Sequence, residues 1–232
     1  MTIFGDDAKH ISRVMRMKIG DEIICSDGEN TTVRCEIIDL SDHVVAKVIE
    51  LISSETELPV KVTIAQALPK ADKLEYVVQK GTELGATAFI PFAATRSVVK
   101  WDEKKANRKV DRLRKIAKEA AEQSWREKIP EILNVHSFSE LKETFSNYHA
   151  VIVASEEAAK QKETSKFRAT LSTIKDGDSL LIIVGPEGGW TKEEAETLRE
   201  EGAILCGFGP RILRTETAAL YALAAISYHF EL

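Results

Sequence analysis

Two short stretches near the carboxyl end combine residue types that could do chemistry. The first is Val184-Gly185-Pro186-Glu187-Gly188-Gly189-Trp190, which follows the apolar run Leu180–Val184. Thr191 and Glu194 behind it have the spacing of a capping box and mark the start of a helix. A glycine loop between a buried strand and a helix lets a ligand approach backbone, and open α/β sheets bind ligands off the carboxyl ends of their strands. It is neither G-x-G-x-x-G nor a Gly-Lys-Ser/Thr phosphate loop, so dinucleotide and nucleotide-phosphate fingerprints are excluded. A plain tight βα turn fits the spacing equally well. The second stretch runs from Leu205-Cys206 through Gly207-Phe208-Gly209-Pro210 to Arg211-Ile212-Leu213-Arg214 and opens a helix at Thr215-Glu216-Thr217. An apolar pair between two arginines suits a flat apolar ring such as adenine. It suits equally a loop anchored to the core with both arginines solvated.

These loops need a scaffold, and the pattern beyond Pro59 supplies one. Short apolar runs at Val60–Leu68, Ala88–Phe92, Ala150–Ala154, Ser179–Val184 and Ala203–Cys206 alternate with helical spacing over Asp72–Leu84, Glu103–Lys128, Ser165–Ile174, Lys192–Glu201 and Thr215–Phe230. Alternation of this kind predicts an α/β fold, a mostly parallel sheet with helices on both faces. The first 55 or so residues read differently. Glu22–Ser26, Thr31–Ile38 and His43–Ile52 are β-prone, with a turn signal at Asp27-Gly28-Glu29-Asn30 and one helical piece at Ala8–Met17. They predict a small β-barrel-like domain, ended by the polar linker Ser53–Pro59. The expected domains are therefore 1–58 and 59–232.

Composition bounds the rest. Of 232 residues 44% are apolar and 30% charged, as in ordinary globular proteins. Cys25, Cys35 and Cys206 form no C-x-x-C pair, which points to buried hydrophobes in a reducing compartment rather than to disulfides or a zinc ribbon. His10, His43, His136, His149 and His229 show no ligand spacing, and no metal is expected. No signal-peptide layout or membrane-length apolar run is present, so a cytoplasmic location away from membranes is expected. The net charge of −5 argues mildly against a nucleic-acid partner. Yet Arg96–Lys118 carries ten basic residues against three acids, a surplus of +7. Such a field can capture phosphate locally because it decays over roughly 8–10 Å. On the long helix, Arg108, Arg112 and Lys115 share one stripe while Val110, Leu113, Ala117, Ala120 and Ser124 form a seam.

Taken together the motifs carry a resemblance. Gly185-Pro186-Glu187-Gly188-Gly189 and Arg211-Ile212-Leu213-Arg214-Thr215-Glu216-Thr217-Ala218 resemble the signature of the small-subunit ribosomal RNA methyltransferase E family. His10-Ile11-Ser12-Arg13-Val14-Met15-Arg16, Lys80–Gly85, Arg96-Ser97 and Glu119–Ser124 match further blocks of that family in order, over nearly the whole chain. The resemblance implies the SPOUT class: a PUA-like N-terminal barrel that docks RNA and a C-terminal domain with a deep trefoil knot, an exception to the rule against knots. It implies S-adenosylmethionine as cofactor, a homodimer, and methylation of uridine N3 in 16S rRNA, free or in the assembled small subunit. A non-catalytic RNA-binding or ribosome-assembly factor and a ribose 2′-O-methyltransferase are the competing readings.

By matching the family motif, Val184, Gly185, Pro186, Leu205, Gly207, Gly209, Ile212, Leu213 and Thr217 are the expected cofactor-binding residues. N3 of uridine carries a proton, so a cation near its carbonyl oxygens would stabilise the anion that forms on losing it. Arg214 is the first choice and Arg211 the second. Glu216 or Glu187 could serve as general base, although Glu216 in a first helical turn would be stabilised there anyway. Because N3 lies on the pairing edge, the base must be unpaired or extruded. RNA docking is expected at Arg13, Arg16, Arg96, Arg108, Arg112 and Lys115.

Overall fold

The structure, a computed structural model, describes residues 1–28, 31–52, 56–163 and 165–232. Parts of the expected turn at 27–30 and of the expected linker at 53–59 lie outside the described residues. The chain forms two compact units, Met1–Glu57 together with Arg126–Lys128, and Leu58–Trp125 together with Ile129–Leu232.

The first unit is an antiparallel sheet of β1 (Thr2–Ile3), β2 (Glu22–Ser26), β3 (Thr32–Asp39) and β4 (Val44–Ile52) in the order β1-β4-β3-β2. Period-two alternation turns Ile37 and Val44 inward, where Ala8 of helix α1 (Gly5–Lys9) joins them. The helix expected over Ala8–Met17 starts earlier and then widens into a π-helical turn, His10–Val14. There Ser12 Oγ donates back to the Ala8 carbonyl at 2.8 Å, a bond that competes with regular pitch. Nearly buried Arg126 pairs with Glu57 within this unit.

The second unit is built on parallel strands β5 (Lys61–Ala67), β6 (Ala88–Ala93), β9 (Ala150–Ala154), β10 (Ser179–Val184) and β11 (Ile204–Cys206), ordered β11-β9-β10-β5-β6. Two-residue strands β7 (Glu131–Ile132) and β8 (His136–Ser137) pair in parallel alongside β6. Continuous apolar runs are needed because both faces are covered. Ile182 points to one face with helices α2 (Lys73–Glu83), α3 (Glu103–Gln123), α6 (Lys166–Leu171) and α8 (Thr215–Glu231). Leu181 and Ile183 point to the other, against α4 (Phe138–Glu143) and α7 (Lys192–Glu200). Helix α5 (Glu156–Lys160) follows β9.

Helix α3 ends at Gln123 rather than Lys128, because Trp125 adopts φ 61° and Ser124 Oγ returns to the Ala120 carbonyl. Strands β7 and β8 were too short for periodicity to reveal. Helix α4 announced itself in a capping box, Ser137 with Glu140, that the sequence reading passed over. The three cysteines are free. Burial pushes Cys206 up to about 12, and burial together with neighbouring Cys35 pushes Cys25 up to about 11. Among the described residues no cluster of side chains could hold a metal, and no helix is long and apolar enough to cross a membrane.

Candidate active site

Parallel strands bring their carboxyl ends to one edge of the sheet, so the loops after β5, β6, β9, β10 and β11 converge there. They enclose a cavity of about 650 Å³, a size suited to a small organic cofactor. Val184, Leu213, Phe208 and Ala218 give it an apolar floor; Arg211, Arg214 and Lys73 bring positive charge to its wall. Phe208 is itself braced between Phe167 and Tyr221, with ring centroids at 4.8 and 6.3 Å.

The first glycine loop is held on every side. The Thr191–Glu194 capping box forms, with the Thr191 hydroxyl accepting from the Glu194 N–H at 3.0 Å and the Glu194 carboxylate accepting in return at 2.9 Å. Glu194, 5% exposed, also accepts the Thr95 N–H at 2.8 Å, tying the β6 loop to α7. The Trp190 indole N–H donates to the Ala154 carbonyl at 3.0 Å. Its ring occupies the space a side chain at Gly185 would need, since a Cβ there would sit 2.9 Å from Trp190 Cε2. Glycine at 185 therefore serves the protein's own packing as well as any ligand. Gly189 adopts φ 68°, the left-handed turn that lets α7 begin at once.

The second loop is joined to the first by a buried polar chain. Gln66 Nε2 donates to Thr215 Oγ1 at 2.8 Å, and Thr215 Oγ1 donates to the Gly185 carbonyl at 2.7 Å. Arg214 caps α8 with its backbone, its carbonyl accepting from Thr217 and Ala218, and the residue lines the cavity.

Of the residues expected from the sequence, Val184, Gly185, Pro186, Ile212, Leu213, Arg211 and Arg214 all line this one cavity. Of the nine expected cofactor-binding residues, four are placed elsewhere. Gly207 is buried against the backbone after β9, where a Cβ would meet the Glu163 carbonyl at 2.6 Å. Leu205 lines a separate cavity of about 360 Å³. Gly209 turns the backbone at φ 90°, and Thr217 is exposed on the first turn of α8. Glu216 lies outside the lining, its carboxylate on Lys73. Arg96 lines the cavity but is engaged, its Nη1 donating to the carbonyls of Gly188 at 3.1 Å and Trp190 at 3.2 Å. Arg108 and Lys115 are exposed on α3, whereas Arg112 pairs with Glu75 at 2.7 Å. Arg13 and Arg16 are exposed in the N-terminal unit, Arg16 at φ 55°.

Sequence reasoning missed Gln66, Lys73 and Thr215. Gln66 is a polar residue inside an otherwise apolar strand, and it is 1% exposed, a signal that asks for a partner. Thr215 stood inside the matched Arg211–Ala218 stretch without a role of its own, and Lys73 carried no mark.

A parallel sheet with this cavity at its carboxyl edge, together with a small antiparallel unit, defines an α/β protein with a ligand site at its strand ends. A family model described as an RNA methyltransferase domain matches residues 56–227, and one described as an RNA methyltransferase PUA domain matches residues 4–49. The chain belongs to the ribosomal RNA small subunit methyltransferase E family. A protein of that name from Bacillus subtilis is 54% identical over 232 residues, covering 100% of this chain and 91% of the relative. One from Mycobacterium tuberculosis is 33% identical over 227 residues, covering 96% and 84%. The crystal structure of a ribosomal RNA small subunit methyltransferase E from Neisseria gonorrhoeae bound to S-adenosyl methionine superposes with a TM-score of 0.84 at 28% identity, over 98% of this chain and 91% of that one.

Proposed function

We propose that this protein transfers the methyl group of S-adenosylmethionine to N3 of a uridine in 16S rRNA. The observation that carries the reading is the convergence of an apolar floor and two arginines at one cavity, in a chain whose relative of 28% identity is known with that cofactor bound. Val184, Leu213 and Ile212 supply the apolar bed, and the backbone of Gly185 and Pro186 its edge. When bound, the sulfonium supplies a methyl group that is already electrophilic, so the protein's task is positioning and charge management.

Arg214 then faces the charge that develops on the uracil carbonyls as N3 loses its proton, with Arg211 as the second cation. Glu187 is a weak proton acceptor. Burial works against its ionised form, but the N–H groups of Lys70 and of Glu187 itself, with the Lys73 ammonium, outweigh it and hold its carboxyl below the usual range. Glu216 acts on the site through Lys73 rather than by lining the cavity.

RNA docking falls to residues 1–58 through Arg13 and Arg16, and to Arg108 and Lys115 on the basic helix of the 59–232 catalytic domain. Arg112, balanced by Glu75, contributes less. A homodimer is supported by Tyr221, Ala224 and Tyr228, exposed at helical spacing on α8, an apolar stripe of the kind that self-association covers. The close backbone packing at Gly207 is compatible with the knot, and relatives named ribosomal RNA small subunit methyltransferase E support a cytoplasmic enzyme.

Mass spectrometry of nucleosides from small-subunit rRNA treated with protein and cofactor tests the reading. Appearance of 3-methyluridine supports it. A ribose-methylated nucleoside would replace the substrate claim, and no methylated product alongside no cofactor binding would leave an RNA-binding factor.

A further inference from the structure

Lys73 sits where a lysine is out of place. It is the first residue of α2, and the positive end of a helix dipole disfavours a cation there. Asp72, the residue before it, makes no side-chain cap bond that would offset this. What holds the ammonium is instead a pair of carboxylates from the two elements that flank the cavity. Nζ donates to Glu187 Oε1 at 3.1 Å, in the first glycine loop, and lies 3.2 Å from Glu216 Oε2, in the first turn of α8. The second contact is an ion contact, not an aligned hydrogen bond, because that buried oxygen has no hydrogen-bond partner. The same Glu187 oxygen accepts the Lys70 N–H at 3.1 Å, so the whole β5–α2 loop is drawn toward the glycine loop.

All three side chains are at least two-thirds covered, with exposures of 30, 25 and 16% for Lys73, Glu187 and Glu216. Screening by solvent is therefore reduced relative to a surface pair. On its far side the glycine loop is held by Arg96 through the Gly188 and Trp190 carbonyls. Removing Lys73 would leave Glu187 held by backbone N–H groups alone, that of Lys70 and its own, and would break the loop's ionic link to α2 and α8. It would also leave two carboxylates facing each other across the cavity wall with no cation between them.

We propose that Lys73 is a positioning residue, a charge latch that holds the Gly185–Trp190 loop against the start of α8 in the geometry that receives the cofactor. The proposal rests on the cofactor reading above only for its functional readout. Its structural readout is independent.

The test compares wild type, Lys73→Gln, Lys73→Arg and Glu187→Gln by hydrogen–deuterium exchange and by calorimetric titration with S-adenosylmethionine. The Gly189 N–H donates to the Pro186 carbonyl at 2.9 Å, so its exchange reports opening of this loop. Loss of one charged hydrogen bond predicts exchange at Gly189 faster by roughly tenfold in Lys73→Gln, a comparable rise in cofactor Kd, and unchanged protection in β5 and β10. Lys73→Arg should recover most of both. Glu187→Gln should reproduce most of the Lys73→Gln effect, and combining the two should add little, since the hydrogen bond between them is the contact both remove; Lys73→Gln also loses the ion contact to Glu216. Exchange and Kd within about twofold of wild type in Lys73→Gln would overturn the latch. So would faster exchange along the whole chain, or a fall in kcat with exchange and Kd unchanged. If wild type itself fails to bind S-adenosylmethionine, the cofactor reading fails while the exchange contrast still decides the latch.

Discussion

The hydroxyl of Thr215 donates to the carbonyl oxygen of Gly185 at 2.7 Å, joining the start of α8 to the end of β10 beneath the cavity. Thr215 is 8% exposed and in turn accepts from the buried Gln66 amide at 2.8 Å, so the hydroxyl is oriented toward Gly185. Thr215→Val keeps the shape and removes the hydroxyl, taking a partner from the part-buried Gly185 carbonyl and from one N–H of the buried Gln66 amide, whose other bond is to the Ala67 carbonyl. The expected cost is about 1–3 kcal/mol in urea unfolding, with weaker cofactor binding, and Thr215→Ser should restore both. A valine variant as stable as wild type would show that the bond is incidental.

Gly207 makes a sharper demand. A Cβ there would lie 2.6 Å from the Glu163 carbonyl and 2.8 Å from Ala159 Cα, both backbone atoms that cannot swing aside. Gly207→Ala is expected to cost ~3 kcal/mol or more, or to prevent soluble expression. Gly202→Ala is the comparison: it meets nothing within 4 Å but sits at φ 83°, and should cost only about 1–2 kcal/mol in the same thermal or urea melt.

Arg214 lines the cavity while its backbone starts α8. Arg214→Ala is expected to lower the rate of methyl transfer by roughly 10²–10³, the usual cost of removing one contact to developing charge. Cofactor Kd should hardly change. A large loss of cofactor affinity with normal turnover would place Arg214 in the binding site rather than at the reacting base.

The pH dependence of the Lys73 contact follows from two opposite shifts. The hydrogen bond to Glu187 raises the Lys73 ammonium, burial opposes it, and Glu216 adds to the rise. The Glu187 carboxyl is lowered despite its burial. A lowered acid contributes fully above its ordinary value of 4.5 and is lost as pH falls through the lowered one. A raised lysine contributes fully below 10.5 and is lost as pH rises through the raised one. The contact is therefore intact throughout the neutral range. Cofactor affinity, followed by calorimetry, is expected to show no titration from it there and to fall once pH drops below the ordinary carboxylate value. A midpoint near neutrality that disappears in Lys73→Gln would contradict this assignment.

Much of the fold was legible because burial on both faces of a parallel sheet demands runs such as Leu180–Val184, and because glycine and proline punctuate the loops that follow. The capping box at Thr191 and Glu194 was readable for the same local reason, as two side chains and two N–H groups lie within one helical turn. Cavity-lining Val184, Gly185, Ile212, Leu213 and Arg214 were found through the match of whole motifs, since spacing alone left each loop a plausible turn.

What remained hidden depended on residues far apart in the chain. Gln66 meets Thr215 across 149 positions, Lys73 meets Glu187 across 114, and Arg96 meets Gly188 across 92. No periodicity or propensity records such pairs, because they exist only once parallel strands have brought their carboxyl ends together. That placement turned Arg96 from a free basic residue into a clasp on the glycine loop, and Glu216 from a candidate base into a partner of Lys73. Residue chemistry and local spacing thus determined the strands, the helices and the two loops, through interactions within a turn or a face. Which side chains stand free at the cavity and which are spent holding it was decided by the tertiary structure, because a charge or amide takes its role from the partner that folding sets beside it.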